Sequence, residues 1–228
     1  MKKYIILLTA LTSLSASAND FTFVSGGLQY GIDDGLSDSV IGQSEGSVGG
    51  YSRISWNFYD HLFADYSISY NSYDGPSFQS STLSLSSYSS TTKQDFGLGY
   101  YFELGSFSPY VKINRTSFKQ SYKGTTDTFV PGGGDPQIFK ESYTLKGYGV
   151  ELGTMIHMSD AWALRVLASV TEPEGDNQNL HLYETYLISD TQFSKNWSFE
   201  AALGYRKLKD DYVNLGEFMP QVGVKYLF

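Results

Sequence analysis

Along most of this chain apolar and polar residues alternate one by one. Val48, Gly50, Ser52, Ile54, Trp56 and Phe58 share one parity, against Gly49, Tyr51, Arg53, Ser55 and Asn57 on the other. Successive side chains of a strand point to opposite faces, so the stretch predicts a strand with one apolar and one polar side. Leu62, Ala64, Tyr66, Ile68 and Tyr70 repeat the split against Asp65, Ser67, Ser69 and Asn71. Asp60 and His61 lie between the two runs, which predicts a tight hairpin. The pattern recurs in Phe96, Leu98, Tyr100, Phe102 and Leu104, followed past Gly105-Ser106 by Pro109, Val111 and Ile113. It recurs again from Tyr148 to Ile156, through Ser159-Asp160, into Trp162 to Val170. A fourth hairpin runs from about Leu180 to Ser189, through 191–196, into Trp197 to Tyr205. With a less regular first strand near Phe21 to Gly31 and a last one carrying Phe218, Pro220, Val222, Val224, Tyr226 and Phe228, the reading predicts ten strands.

Between these hairpins the chain makes longer polar excursions, at about 32–45, 72–92, 124–138, 172–179 and 209–215. Short and long connections therefore alternate, as they do in transmembrane barrels, which turn tightly on the periplasmic side and carry longer loops outside. Trp56, Trp162 and Trp197 all lie beside expected short turns on the apolar parity. Tryptophan suits a membrane interface, although packing inside a sandwich would also use it. After the first segment no apolar run approaches the roughly 20 residues that a spanning helix needs. In hydrocarbon only helices and closed sheets pair every backbone group, so closure is the remaining solution. The expected fold is an all-β, closed, antiparallel up-and-down transmembrane barrel of ten strands, with eight as the alternative, since an even number suits a bacterial single-chain barrel.

The first segment sets the compartment. Lys2 and Lys3 precede a mostly apolar run from Tyr4 to Leu14, and Ala16-Ser17-Ala18 has the small residues of a cleavage site. The expectation is an export leader over 1–18 and one barrel domain over 19–228. Losing two lysines would take the formal charge from −8 to −10. That sign argues against nucleic acid as a partner. Cysteine is absent, which excludes disulfides, thiolate metal sites and thiol nucleophiles, and no cofactor is expected.

The alternating residues Val222, Val224, Tyr226 and Phe228, and the strand-turn-strand stretch Gly153 to Val170, resemble the small outer-membrane β-barrels of Gram-negative bacteria typified by OmpA and OmpX. That resemblance implies residence in the outer membrane, contact with its lipid and lipopolysaccharide, and a last strand that the outer-membrane assembly machinery reads. The type members have eight strands where ten are counted here.

In such a barrel, function resides in the lumen or the loops. The polar parity places Arg53, Lys112, Arg165, Arg206 and Lys225 inward with Asp65, Asp95, Glu103, Glu151 and Glu200. Small barrels fill their interiors with side chains, and unpaired buried charge is costly, so these ten should form an ion-pair network. A plug is one reading of that network and a narrow path for ions or small solutes is the other. Glu184 shares the parity of Leu182, Tyr186 and Ile188, so either that strand holds a bulge, or Glu184 meets lipid, or Tyr183 and Leu187 face outward instead.

The loops are acidic, with Asp33, Asp34, Asp38, Glu45, Asp127, Asp135, Glu172, Glu174, Asp176, Asp210 and Asp211. None has an ordered spacing of metal ligands, and solvation is their expected use. Strand patterning beyond the membrane at 82–85, 115–122 and 139–145 predicts hairpins that project outward and present edges to an extracellular ligand. Ten-stranded omptin proteases resemble this architecture, but they use paired carboxylates and an Asp-His pair near the outer rim. Here His61 and His157 lie by periplasmic turns, and His181 has no Asp-x-His arrangement. A hydrolase using His181 is the weaker alternative to a non-enzymatic structural or surface-interaction protein.

Overall fold

The computed structural model describes residues 21–33, 46–74, 78–79, 83–128, 137–174, 180–209 and 214–228. The expected leader and much of each long connection, including Asp34, Asp38, Glu45, Asp135, Asp176, Asp210 and Asp211, lie outside the described residues.

The strands are β1 (Phe23–Asp33), β2 (Ser47–Tyr59), β3 (Leu62–Asp74), β4 (Phe78–Gln79), β5 (Leu83–Tyr101), β6 (Phe107–Thr128), β7 (Gln137–Ser159), β8 (Trp162–Pro173), β9 (His181–Gln192), β10 (Trp197–Lys209) and β11 (Asn214–Leu227). Each pairs antiparallel with its neighbours. The ring closes where β1 meets β11 and β3 meets β5. The two-residue β4 pairs only with the outer end of β5, so the barrel has ten strands.

Side chains alternate about this wall as the sequence predicts. Leu28, Val48, Leu98, Ile113, Leu152, Leu203, Val222 and Val224 are exposed on the outer face. Trp56, Trp162 and Trp197 lie on that face beside the short turns, and Tyr30, Tyr70, Tyr148 and Tyr183 stand near the opposite boundary. Apolar residues between two aromatic belts are what a bilayer selects. No helix among the described residues is long and apolar enough to cross a membrane.

Large inward side chains fit because their cross-strand partners are small. Phe63 faces Gly99, Tyr110 faces Gly153 and Tyr186 faces Gly204. At Gly99 a Cβ would come within 2.3 Å of the Phe63 ring, and at Gly153 within 2.5 Å of Tyr110. The ring covers the bare glycine backbone and lies along the wall instead of across the bore.

The structure selects one of the alternatives left open on β9 and corrects one expectation. β9 carries no bulge, and its register against β8 and β10 is continuous. Tyr183 and Leu187 face outward, whereas Leu182, Glu184, Ile188 and Asp190 are buried inside. A small barrel must fill its interior with apolar groups as well as charges, so the parity that reaches lipid cannot be chosen by hydrophobicity alone. The correction is Glu103. β5 ends at Tyr101, Phe102 N–H donates to Pro109 O, and Leu104 pairs with Phe107 across a turn where Gly105 adopts φ +66°. The turn carries Glu103 out of the wall, exposed and away from the lumen.

β5, β6 and β7 are 19, 22 and 23 residues long, against 11 to 14 for the other barrel strands. All start or end at the short turns, so their surplus rises beyond the opposite rim as a three-stranded sheet. β8 accompanies β7 only as far as Gly147.

Candidate functional site

The lumen is layered. At the short-turn end Phe21, Phe63, Tyr101, Tyr110, Leu167 and Ile188 pack together, with Phe21 and Tyr101 stacked at 4.4 Å. At the opposite end Phe118, Leu145, Leu180, Leu182 and Leu208 form a second buried cluster, with Leu215 against it. The charges around Asp65 and Glu184 lie between these two apolar layers, whereas Arg165, Asp190 and Lys225 stand nearer the short turns than Leu167 and Ile188.

Asp65 joins two cations, accepting from Arg53 Nε at 2.6 Å and Lys112 Nζ at 2.9 Å. Lys112 Nζ also reaches Glu151 Oε2 at 2.7 Å, and Tyr110 donates to the other oxygen of Glu151 at 2.9 Å. Glu184 is shared by Lys93 and by Arg206, whose Nε lies 2.9 Å from its Oε1. Lys93 also pairs with Asp95, which accepts from Thr116 at 2.6 Å. Asp190 accepts from Lys225 at 2.8 Å and lies 3.6 Å from Arg165. Glu200 accepts from Tyr51 at 2.7 Å, and Glu217 from Tyr73 at 2.9 Å and Ser47 at 3.1 Å. Arg53, Arg165 and Lys225 all lean on the ring of Phe23, at 5.5, 5.1 and 4.7 Å.

Nine of the ten residues expected inside therefore lie on the inner face, and Glu103 does not. Sequence reasoning passed over four others. Lys93 lies between the expected connection at 72–92 and the strand expected from Phe96, Asp190 and Glu217 lie just beyond the expected ends of their strands, and parity alone leaves the orientation of Glu184 open. Carrying the parity of Asp95 back two positions would have found Lys93. Six cations thus meet seven carboxylates: Arg53, Lys93, Lys112, Arg165, Arg206 and Lys225 against Asp65, Asp95, Glu151, Glu184, Asp190, Glu200 and Glu217. Charges brought out of water are tolerated when they have partners of good geometry, which the shared carboxylates supply to Arg53, Lys93, Lys112 and Arg206, whereas Arg165 keeps Nε and Nη2 without a hydrogen bond. The groups enclose a cavity of about 100 Å³ lined by Arg53, Asp65, Lys93, Glu184, Glu200 and Arg206, among others.

His181 stands at the start of β9, half-buried, 5.9 Å from the Tyr183 ring, and pairs with no carboxylate among the described residues. No group of three His, Asp or Glu among the described residues is arranged to hold a metal. Val222, Val224, Tyr226 and Phe228 share the outward parity of β11, where Tyr226 packs between Trp197 and Phe228 at 5.0 and 5.2 Å.

The profile of the outer membrane protein beta-barrel domain matches residues 4–189. The chain belongs to that family. It is an outer-membrane β-barrel, as the paired wall and its two aromatic belts require. Among solved structures, the outer membrane protease OmpT from Escherichia coli is similar over 91% of this chain and 94% of its own, at 9% identity and a TM-score of 0.49. The COG4313 outer membrane channel from Pseudomonas putida F1 covers 94% and 100%, at 10% identity and 0.47. Ail, the attachment invasion locus protein of Yersinia pestis, in complex with the heparin analogue sucrose octasulfate, covers 90% and 97%, at 12% identity and 0.43. No curated protein sequence is similar enough to match the chain.

Proposed function

We propose that this barrel is a non-conducting, non-enzymatic surface protein whose task lies in the sheet raised by β5, β6 and β7, with the lumen serving as a structural plug. The observation that carries the reading is a buried apolar cluster toward each end of the bore, around Phe63 and around Phe118, with the paired charges of Asp65 and Glu184 between them. An ion entering would have to displace buried aromatic rings and break ion pairs between buried groups. A narrow porin is the second reading, favoured by the polar cavity at mid-lumen.

The test is single-channel recording of refolded protein in planar bilayers, once heat-modifiable gel mobility has established a closed barrel. The expected result is a silent membrane. Steady ohmic steps that change with Arg53→Ala would replace the plug by the porin reading.

A further inference from the structure

The chain is acidic as a whole, yet one face of the raised sheet is uniformly basic. Along β6 the outward positions above the membrane are Arg115, Ser117, Lys119, Ser121, Lys123 and Thr125; along β7 they are Ile138, Lys140, Ser142, Thr144, Lys146 and Tyr148. Five are cations and none is an acid. The register sets them in tiers: Arg115 beside Tyr148, Lys146 beside Ser117, Lys119 beside Thr144, and Lys123 directly opposite Lys140. Like charges placed directly opposite across a strand pair repel, so Lys123 and Lys140 cost stability unless an anion lies between them.

Arg115 is already engaged. Its guanidinium donates to Tyr148 Oη at 3.2 Å, lies 5.2 Å from that ring, and meets Glu174 at 3.3 Å. The four lysines above it are exposed, and no ion pair joins them to an acid among the described residues. The adjoining outward positions of β5, Tyr88, Ser90, Thr92 and Gln94, bring no charge, and the two acids on the β8 side, Glu172 opposite Tyr148 and Glu174 beside Lys146, flank only the two lowest tiers.

The height of the ladder selects its partner. Ile113 and Val150, directly below Arg115 and Tyr148, belong to the lipid-facing apolar band. The lowest tier therefore stands where hydrocarbon ends. Eight residues of strand, tilted at the usual angle, raise the top tier roughly 20 Å above it. We infer that this face binds the phosphate groups of the lipopolysaccharide surrounding the barrel, one molecule standing against the ladder with its acyl chains on the apolar band and its anionic sugars against Lys119, Lys123, Lys140 and Lys146. A soluble polyanion would use the same charges but would gain nothing from their continuity with the hydrocarbon belt.

The inference rests on the surface-interaction reading above, and its test is separable from that one. The full-length protein is placed in zwitterionic-lipid nanodiscs and titrated with fluorescent lipopolysaccharide, with the same material after enzymatic dephosphorylation, and with heparin. The comparison is a variant carrying Lys119→Gln, Lys123→Gln, Lys140→Gln and Lys146→Gln, outside the membrane wall, checked for the same heat-modifiable mobility. Exposed ion pairs contribute modestly each, so four together are expected to weaken binding about tenfold, and dephosphorylation of the ligand to weaken wild type similarly while leaving the variant unaffected. Added salt should erase the difference. Equal binding by both proteins overturns the assignment, as does a ladder-dependent affinity for heparin without one for lipopolysaccharide. Either failure leaves the bilayer recording untouched, whereas steady conductance sinks the plug whatever the ladder binds.

Discussion

The far end of the Phe63 ring on β3 lies over Gly99 on β5, so close that a Cβ at Gly99 would sit 2.3 Å from its Cζ. Two residues on different hairpins thereby define how the short-turn end of the bore is filled. Gly99→Val is expected to destabilise the folded barrel by about 1–3 kcal/mol through overpacking, and Phe63→Ala by about 3–5 kcal/mol through the cavity it leaves. Because the clash needs the ring, Gly99→Val should cost much less in a Phe63→Ala background. Guanidinium unfolding in lipid vesicles measures all three, and strict additivity would contradict the contact.

The central carboxylates should be far less replaceable than the displaced one. Asp65→Ala strands Arg53 and Lys112 without their shared partner, and Glu184→Gln removes the anion that holds Lys93 and Arg206. Each change is expected to cost about 3–5 kcal/mol, since it removes an anion that two buried cations share. Glu103→Ala, in the exposed turn, should stay within about 0.5 kcal/mol of wild type. The same unfolding assay ranks them, and a cost at Glu103 comparable to that at Glu184 would contradict the placement of both.

Depth in the bilayer can be read along a single strand. Ile113 and Ser121 both face outward on β6, the first within the apolar band and the second beyond it. Val111→Arg, two positions deeper than Ile113 on the same outward face, is expected to cost roughly 2–4 kcal/mol near the midplane, and Ser121→Arg close to nothing. Refolding yields and unfolding midpoints in vesicles check the gradient, and equal effects would place the membrane boundary elsewhere.

Much of this was legible in the sequence because a barrel wall obeys one rule, a period of two, at every crossing. Val48 to Phe58 and Leu62 to Tyr70 show the rule plainly, and the spacing of turns adds direction. The rule falters where both faces are apolar. On β9, Tyr186 and Ile188 look like lipid-facing residues but belong to the filling of the bore, and only the neighbouring strands decide the question. It falters again at strand ends, where Glu103 follows the parity of β5 but the chain has already turned. The pairs Phe63 with Gly99 and Tyr110 with Gly153 were not visible at all, because register between strands depends on turn geometry more than on composition. The basic ladder was obscured for a similar reason, since its lysines are scattered along two strands and gather only when β6 and β7 are aligned.

The seam between the first and last strands has a kinetic meaning. Phe23 pairs with Leu227 and Asp33 with Glu217, so the ring is sealed by partners from opposite ends of the sequence. Until they meet, β1 and β11 each present a row of bare amides and carbonyls, and every such group left in hydrocarbon costs several kcal/mol. Strands cannot therefore slip into the bilayer one at a time and wait. Crossing and sealing must be a single cooperative event, slow because the joined segments are remote, and insertion and sheet formation should advance with one common rate.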